Sequence, residues 1–390
     1  MAGFSPEVFK WARESAGLTL DDAAETLKIK KSVLDALESG TGVPSRPLLL
    51  KMAKAYRRSL LSLYLPAPPR KGDRGEDFRT VNADRTVGAE ASIDALLRHL
   101  RARQSLVRST LEDDEDSRPV EFVGSIDLNA GVQKVAASME TSLGISREEF
   151  RKQRNSEQAF AFLRAKVEEA GVFVLLIGNL GSHHSTIPVE TFRGFAIADK
   201  IAPFIVINDQ DAKTAWSFTL LHELTHIWLG ATGVSGGYAE QKIERFCNAV
   251  AAEILIPTAE VAALKIAGLD VADQIAIISK QAGEWKVSRQ MLAYGLLRAG
   301  NISQTTWQAI DIKLREMWMA DRQREKEASK SKESQPSYYV VRRHRLGHAM
   351  LTFASRSINA GTLSPAKAAQ VLGVKPRSVF PLLSSTVLAS

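Results

Sequence analysis

The sequence predicts a multidomain, mainly α-helical chain with one α+β core. Its 390 residues exceed what a single hydrophobic core usually organises. Apolar residues recur at helical spacing over most of the chain, but three short β-type runs follow one another at 171–177, 193–198 and 203–208. A few strands backed by helices are typical of an α+β unit. A Pro-rich stretch at 65–79 is typical of an extended linker, and the polar stretch at 320–337 indicates a second linker or a frayed helix end.

The predicted organisation has an all-α unit at each end of the chain. Near the N-terminus, Gly17 ends a first helix, Thr19 and Asp22 form a capping pair for a second, and Gly40 follows the end of a third. The predicted parts are an N-terminal all-α domain at 1–64, a Pro-rich linker at 65–87, a central region at 88–318 with its core at 160–300, a polar linker at 319–337 and a small basic helical domain at 338–390.

Composition excludes several classes of protein. Hydrophobic residues at 45% and charged residues at 24% are globular averages, which excludes a mostly disordered or fibrous chain. Cys247 is the one cysteine, so there is no intramolecular disulfide framework and no zinc site with several Cys ligands. No apolar run approaches the ~18 residues of a membrane helix, and the N-terminus lacks the apolar segment of a secretory signal. We therefore expect a cytoplasmic protein with no membrane partner.

The net charge of +7 is concentrated at the two ends of the chain. Residues 342–390 contain seven basic and no acidic groups, and the first 80 residues contain 14 basic and 10 acidic groups. Residues 81–341, which include the predicted core, are slightly acidic with 30 basic and 34 acidic groups. If the protein contacts a polyanion such as DNA, we expect its two ends to do so.

The pentapeptide His222-Glu223-Leu224-Thr225-His226 carries the chemistry of the predicted core. It lies in a predicted helix at 214–229, which Gly230 closes. Residues four apart share one helix face, so both imidazoles can reach one metal ion. Glu223 then faces a metal-bound water as a general base. The competing interpretation has both histidines as partly buried, hydrogen-bonded residues and Glu223 as a surface charge.

A catalytic zinc ion of this kind needs a third protein ligand and an open position for water. Glu244 follows His226 by 18 residues, in a second predicted helix whose apolar stripe ends before Pro257. Glu240 and Glu253 are rival third ligands, and spacing alone does not choose among the three.

Four motifs in this order resemble the ImmA/IrrE family of zinc metallopeptidases over about residues 160–300. They are Phe192-Arg193-Gly194-Phe195, the run at 202–208, the run at 218–226 and the run at 244–257. The resemblance implies a zincin-like metallopeptidase core that binds Zn²⁺ through His222, His226 and Glu244, with Glu223 as the catalytic base. It favours Glu244 because this residue begins the family's Glu-x-x-Cys/Ala-Asn pattern. Family members cleave a helix-turn-helix repressor, so the resemblance also implies a protein substrate of that class.

Two features of the substrate site stay open at this stage. The candidates for stabilising the oxyanion are Arg193, Tyr238, His183 and His184, which the sequence does not rank. Arg193 has a structural salt bridge as its alternative role, and His183 and His184 have an exposed pair in a loop as theirs. A strand such as 203–208 beside the site is a candidate for pairing with an extended substrate segment.

The N-terminal domain resembles the XRE (Cro/C1-type) helix-turn-helix family over about 50 residues. The similarity rests on Arg13-Glu14, Gly17-Leu18-Thr19, Ala23-Ala24, Leu37-Glu38-Ser39-Gly40 and Met52-Ala53. It implies a recognition helix near Lys30 to Glu38 that enters the major groove, with Lys30, Lys31 and Ser32 as the DNA-contacting candidates. That helix has no Arg, Gln or Asn for a bidentate base contact. Protein binding or homodimerisation therefore competes with DNA binding.

The C-terminal stretch at 364–379 has a helix, a glycine turn and the start of a second helix. It is compatible with a second helix-turn-helix-like unit that touches phosphates, or with a helical cap on the peptidase core. His344 and His348 are four apart, but no acidic residue lies nearby, so we do not predict a second metal site there.

Together these features predict a zinc-dependent regulatory endopeptidase, a hydrolase that cleaves a transcriptional repressor or similar protein and is fused to a DNA-binding helix-turn-helix. The alternative is a non-catalytic XRE-type transcription regulator or antitoxin, in which the peptidase-like domain is a sensor or a protein-binding scaffold.

Overall fold

The computed structural model describes residues 4–69, 87–114, 118–180, 185–231, 238–330 and 337–384. The chain divides into two compact units, one comprising 1–102 with 178–192 and the other comprising 103–177 with 193–390. The predicted fold class is confirmed: the chain is mainly helical, with an all-α N-terminal domain and one small mixed sheet. In the described part of the chain, no helix has the length and apolar character that a membrane span requires.

The N-terminal domain of the first unit is a small helical bundle. Its elements are α1 (Pro6–Glu14), α2 (Leu20–Leu27), α3 (Lys31–Glu38), α4 (Arg46–Ala55) and a 3-10 helix (Leu60–Tyr64). The capping box at Thr19 and Asp22 forms as predicted, since each backbone N–H donates to the other's side chain. Arg13 donates to both carboxylate oxygens of Glu38, at 2.7 and 2.8 Å, and this nearly buried ion pair joins α1 to α3. Most of the predicted linker at 65–87 lies outside the described residues, and α5 (Val87–Glu112) follows it.

A three-stranded sheet forms the centre of the second unit. The three predicted β-type runs become β1 (Phe173–Leu176), β2 (Gly194–Ile197) and β3 (Phe204–Ile207), in the order β1-β3-β2. β3 pairs in parallel with β1 and antiparallel with β2. The prediction that 203–208 pairs with a substrate is therefore wrong, because β3 is the central strand and both of its edges are already hydrogen-bonded to neighbours.

Helices between residues 132 and 330 pack on one face of this sheet and around one another to form a large hydrophobic core. They are α6 (Val132–Leu143), α7 (Arg147–Lys152), α8 (Ser156–Glu169), α9 (Lys213–Trp228), α10 (Tyr238–Leu255), α11 (Thr258–Ala262), α12 (Val271–Trp285), α13 (Arg289–Arg298) and α14 (Gln304–Lys330). Helices α8 and α9 contact the sheet itself, and the other helices pack around them. The core joins strand residues such as Val174 and Ile205 to Leu220 and Leu224 of α9. α14 continues to Lys330, so residues 319–330 are helical and not an extended linker; their Glu, Lys, Arg and Ala residues are good helix formers without an apolar stripe.

The C-terminal segment packs against the same sheet. It contains α15 (Tyr338–Asn359), α16 (Pro365–Leu372), a 3-10 helix (Pro376–Ser378) and α17 (Val379–Leu383). The ring of Phe353 in α15 meets the ring of Phe173 in β1 edge-on, with 5.9 Å between their centroids. Because side chains alternate along a strand, Phe173 faces away from Val174, which lies in the core with α9. The segment thus has the position of a helical cap on the sheet of the second unit.

Candidate metal centre

Helix α9 holds His222, Glu223 and His226 in fixed directions. It begins and ends within one residue of the predicted helix, and Gly230 beyond its end has a positive φ of 68°, as a glycine that ends a helix requires. Leu220, Leu221, Leu224, Ile227 and Trp228 are all buried, so this helix is enclosed on most sides. The enclosure restricts the rotamers of the three polar side chains.

Helix α10 brings Glu244 to the same point. Cys247, Val250, Ala251 and Ile254 form the buried stripe by which α10 joins the surrounding core, and Glu244 lies one turn before Cys247. Burial, with Glu244 and Glu223 nearby, raises the pKa of the Cys247 thiol above its ordinary value. Cys247 is therefore a packed, protonated residue of the α10 stripe.

Three ligand atoms converge between α9 and α10. The Nε2 atoms of His222 and His226 are 3.2 Å apart, and the carboxylate oxygens of Glu244 lie 3.2 Å from the first and 3.1 Å from the second. Two imidazole nitrogens at about 2.0–2.1 Å from a tetrahedral zinc ion are separated by about 3.3 Å. Two nitrogens and one carboxylate are also a donor set that catalytic zinc sites use. The residues present therefore fit a zinc ion.

The two carboxylates of the site have opposite electrostatic environments. Partial burial alone would raise the pKa of Glu244, but the hydrogen bonds and charges of His222 and His226 outweigh it and hold that pKa well below its usual range. Glu223 is 6% exposed, and its burial raises its pKa to about 8, against the lowering effect of His226 and with a further increase from Glu244. One carboxylate is thus kept ionised as a ligand, while the other can accept a proton near neutral pH.

Gly194 of β2 packs directly against Glu223. A Cβ atom at this position would lie 2.6 Å from Cγ2 of Thr219 and 2.9 Å from Oε1 of Glu223. Only glycine therefore allows the strand to approach α9 this closely. Sequence reasoning quoted Gly194 within a motif but assigned it no role; the signal that was available is a glycine inside an otherwise apolar strand.

We expect the substitution Gly194→Ala to displace Glu223 without removing a metal ligand. The added methyl group must push away either the Thr219 side chain or the Glu223 carboxylate, and a misplaced catalytic group of this kind costs up to about 100-fold in rate. The measurement compares kcat and zinc content with those of the wild type. Gly283→Ala is the matched control, because a Cβ there meets no atom within 4 Å. A full loss of zinc in Gly194→Ala would contradict this role.

The other candidates lie elsewhere or outside the described part. Glu253 accepts hydrogen bonds from the backbone N–H and the hydroxyl of Thr258, at 3.2 and 2.8 Å, so it caps α11 and does not face the histidines. The side chain of Arg193 is mostly exposed, and its Nη1 lies 3.9 Å from Oδ2 of Asp211. It therefore forms the salt bridge that the sequence offered as its alternative role. The side chains of Glu240, Tyr238, His183 and His184 lie outside the described residues.

The candidate DNA-contacting residues lie at the start of α3 in a surface of mixed charge. Lys30 precedes the helix, and Lys30, Lys31 and Ser32 are exposed. Lys31 forms an ion pair with Asp21 of α2 at 2.8 Å. The exposed acidic residues Asp21, Asp22, Glu25 and Asp35 outnumber the basic residues Lys28, Lys30 and Lys31 on α2, α3 and the turn between them. The electrostatic attraction of this surface for phosphates is therefore small.

Comparison with known families agrees with both resemblances. The family model described as the IrrE N-terminal-like domain of M78 peptidases matches residues 178–297, and a helix-turn-helix family model matches residues 9–63. No curated protein and no solved structure matches the chain significantly. The 178–297 match contains His222, Glu223, His226 and Glu244. Residues 178–297 are therefore similar to the IrrE N-terminal-like domain of M78 peptidases, and residues 9–63 are similar to a helix-turn-helix domain.

Proposed function

We propose that this protein is a zinc-dependent regulatory endopeptidase that cleaves a transcriptional repressor or a similar protein. The observation that carries the proposal is the convergence of His222, His226 and Glu244 at 3.1–3.2 Å beside the buried carboxyl of Glu223. The family match supports a peptidase, and the attached helix-turn-helix domain supports a role in gene regulation.

In this proposal His222, His226 and Glu244 hold the zinc ion, and Glu223 moves the proton. When bound, zinc polarises a peptide carbonyl and lowers the pKa of water toward about 7. Glu223 accepts the proton of the attacking water and donates it to the nitrogen of the leaving amine. Its burial suits both steps, because a raised pKa lets one carboxyl accept and then release a proton near neutral pH.

The edge of β2 offers a place for the substrate backbone. The backbone N–H of Asn208 donates to the carbonyl of Arg193 at 2.8 Å, so the alternation of an antiparallel ladder directs the backbone groups of Gly194 away from β3. Gly194 is half-buried, whereas Phe195, Ala196 and Ile197 are buried. We infer that an extended substrate pairs with the strand edge at Gly194, immediately beside Glu223.

The zinc assignment is tested by metal analysis of ligand variants. We expect stoichiometric zinc in the wild-type protein and at least a tenfold weaker affinity in His226→Ala and Glu244→Gln, because each variant removes a direct ligand. Glu253→Gln is the matched control, since it changes a carboxylate on the same helix that caps Thr258. Equal zinc loss in Glu253→Gln and Glu244→Gln, or no zinc in the wild type, would refute the assignment.

The alternative function is a non-catalytic regulator or antitoxin that uses the same domain as a sensor or scaffold. A scaffold could keep the metal ligands for stability, but it gains nothing from a carboxyl that is 6% exposed and whose pKa burial raises to about 8. Burying such a group costs free energy, which a general base justifies and a scaffold does not. The position of Glu223 therefore favours the enzyme.

We further propose that the helix-turn-helix domain binds DNA through Lys30, Lys31 and Ser32, and that homodimerisation strengthens this binding. Because the α2–α3 surface is of mixed charge, we expect a shallow salt dependence. Each phosphate contact contributes a slope of about −0.9 in log K against log salt concentration. Lys30→Gln should reduce the slope by about 1, and Lys31→Gln by less, because Lys31 is paired with Asp21.

The measurement is fluorescence anisotropy with DNA from upstream of the protein's own gene, over a range of salt concentrations. The charge-neutral substitution Ser32→Ala serves as the control, since it should leave the salt slope unchanged. Absence of binding at low salt would refute DNA binding and leave a protein-docking role for the domain.

A further inference from the structure

Two arginine side chains without an acidic partner meet at the end of α16. Arg103 belongs to α5 and is 4% exposed, and Arg342 belongs to α15 and is half-buried. A Cβ atom placed on Gly373 would overlap Nη2 of Arg103 and lie 2.6 Å from Nη2 of Arg342. Both guanidinium groups therefore converge on the same point, and only a residue without a side chain admits them.

Backbone carbonyls accept hydrogen bonds from only some of the N–H donors of the two guanidinium groups. Nη2 of Arg342 donates to the carbonyls of Leu372 and Gly373 at 2.8 and 2.6 Å, and Nε of Arg103 donates weakly to the carbonyl of Gln370 at 3.5 Å. These carbonyls form the negative end of α16, which offsets a fraction of the positive charge. Nη2 of Arg103 and Nε of Arg342 are buried and have no hydrogen-bond partner among the described residues.

Arg103 and Arg342 differ from the other buried arginines of the described residues, each of which forms an ion pair with a glutamate. Arg13 is paired with Glu38, and Arg164 is paired with Glu168. In the described ranges, no carboxylate lies within ion-pair distance of Arg103 or Arg342. The nearby Arg345 adds another positive charge and takes the carboxylate of Asp209 for itself at 2.6 Å.

Two like charges out of water need a counter-charge. Burial, and secondarily the charge of Arg342, lowers the pKa of Arg103 to about 9. Arginine nevertheless stays protonated near neutral pH, and leaving a buried cation without a counter-charge is strongly unfavourable. Among the residues that the structure describes, no carboxylate balances this charge, which leaves room for an anion from solution.

We propose that Arg103 and Arg342 bind a phosphate group, either as free phosphate or as the phosphoryl group of a small metabolite. Guanidinium groups match the oxygens of phosphate with paired N–H donors. A phosphomonoester carries about −1.5 to −2 charges near pH 7, which balances two arginines better than one carboxylate would. Duplex DNA is a poor occupant, because its backbone cannot reach a side chain that is 4% exposed.

This site would couple ligand binding to the docking of the C-terminal segment. Arg103 comes from α5, whereas Arg342 and Gly373 come from the segment whose α15 covers β1. A phosphate between them would join these elements and raise the stability of their packing. The function of the site is independent of zinc binding and peptide cleavage.

The test is thermal unfolding of the full chain after exhaustive dialysis, with sodium phosphate or glycerol phosphate added against sodium chloride of equal ionic strength. Phosphate also stabilises proteins without binding, so the criterion is a saturable rise in Tm. We expect saturation in the wild type and in Lys367→Gln, which removes an exposed charge from α16. Arg103→Gln and Arg342→Gln should need at least tenfold more ligand or show no saturation.

The two ligands distinguish the source of the phosphate group. Saturation by inorganic phosphate alone assigns the site to free phosphate, and tighter binding of glycerol phosphate assigns it to a phosphorylated metabolite. Equilibrium dialysis of the wild type with radioactive phosphate does not depend on how the variants fold, and stoichiometric binding is expected. The proposal is overturned if neither ligand binds saturably, or if both arginine variants respond as the wild type does. In that case the arginines only cap the carbonyls of α16.

Discussion

Replacing Glu223 by Gln should abolish proteolysis and leave the zinc content unchanged. Glu223 is adjacent to His222 in sequence, but its carboxyl is not one of the three atoms that converge on the ion site. Gln has nearly the same shape and lacks the basic oxygen, so the substitution removes proton transfer and keeps the packing against Gly194. Loss of a general base lowers rates by about 10²- to 10⁴-fold.

This prediction can be tested before any substrate is identified. Cells producing either the wild type or Glu223→Gln are compared by mass spectrometry of protein N-termini. N-termini that need Glu223 mark the cleavage sites, and a reporter for the regulated gene measures the consequence. Glu253→Gln is the control, because Glu253 lies at the far end of α10 and its carboxylate accepts hydrogen bonds from Thr258 at the start of α11.

The outcome separates the enzyme from the scaffold. If Glu223→Gln keeps zinc, produces no new N-termini and fails to induce the reporter, regulation depends on turnover. If the reporter responds normally to Glu223→Gln but not to His226→Ala, regulation needs the metal site and no proteolysis. The second result would establish the non-catalytic alternative and refute the proposed peptidase function.

Local pattern was sufficient for the part of the site that lies on one helix. His222 and His226 owe their common direction to the helical repeat, and that repeat is visible in the sequence, as is the place of Glu223 next to the first histidine. The third ligand was different, because the choice among Glu240, Glu244 and Glu253 depends on how α10 packs against α9. Only the packed structure shows that Glu253 faces Thr258 and that Glu244 faces the histidines.

The other features of the site depend on contacts between residues far apart in the sequence, which the local pattern does not reveal. The three strands are visible as apolar runs, but their order is not, so the sequence cannot show that 203–208 is the central strand and is paired on both edges. For Gly194 the sequence shows only a glycine inside an apolar strand, since the need for glycine there comes from the close approach of Glu223 in α9 to β2. Charge counting misled in another way, because it treats the buried Arg103 and the half-buried Arg342 like exposed groups.

The substitution Gly347→Ala should produce the largest loss of stability of any single methyl addition considered above. Gly347 interrupts α15 with φ 79° and ψ 167°, a conformation that essentially only glycine adopts. A Cβ there would overlap the carboxylate of Glu168 and the guanidinium of Arg164. Those two groups hold the interruption from both sides.

The contacts at the interruption are specific. The guanidinium of Arg164 donates hydrogen bonds to three backbone carbonyls: those of His344 at 2.6 Å, Arg345 at 3.3 Å and Val174 of β1. Glu168 accepts from the backbone N–H groups of His348 and Ala349, at 2.9 and 3.2 Å. The pair therefore caps both halves of α15 and connects them to the sheet. Breaking a buried ion pair costs about 3–5 kcal/mol, to which backbone strain adds about 1–3 kcal/mol.

Gly361→Ala isolates the contribution of the ion pair. Gly361 also has a positive φ of 74°, but a Cβ there would meet no atom within 4 Å. We expect urea unfolding to show a loss of about 1–2 kcal/mol for Gly361→Ala and at least about 4 kcal/mol for Gly347→Ala. A total of that size is a large fraction of the 5–15 kcal/mol that typically stabilises a domain.

The shape of the transition then decides what the C-terminal segment is. If residues 337–384 are part of the peptidase core, Gly347→Ala shifts a single transition and zinc is released along it. If the segment were a separate domain, it would unfold on its own at a lower urea concentration in the variant, and the protein would keep its zinc through that first transition. If Gly347→Ala and Gly361→Ala lower the free energy of unfolding equally, the Arg164–Glu168 pair moves aside for the methyl group. The pair then does not fix α15 against β1.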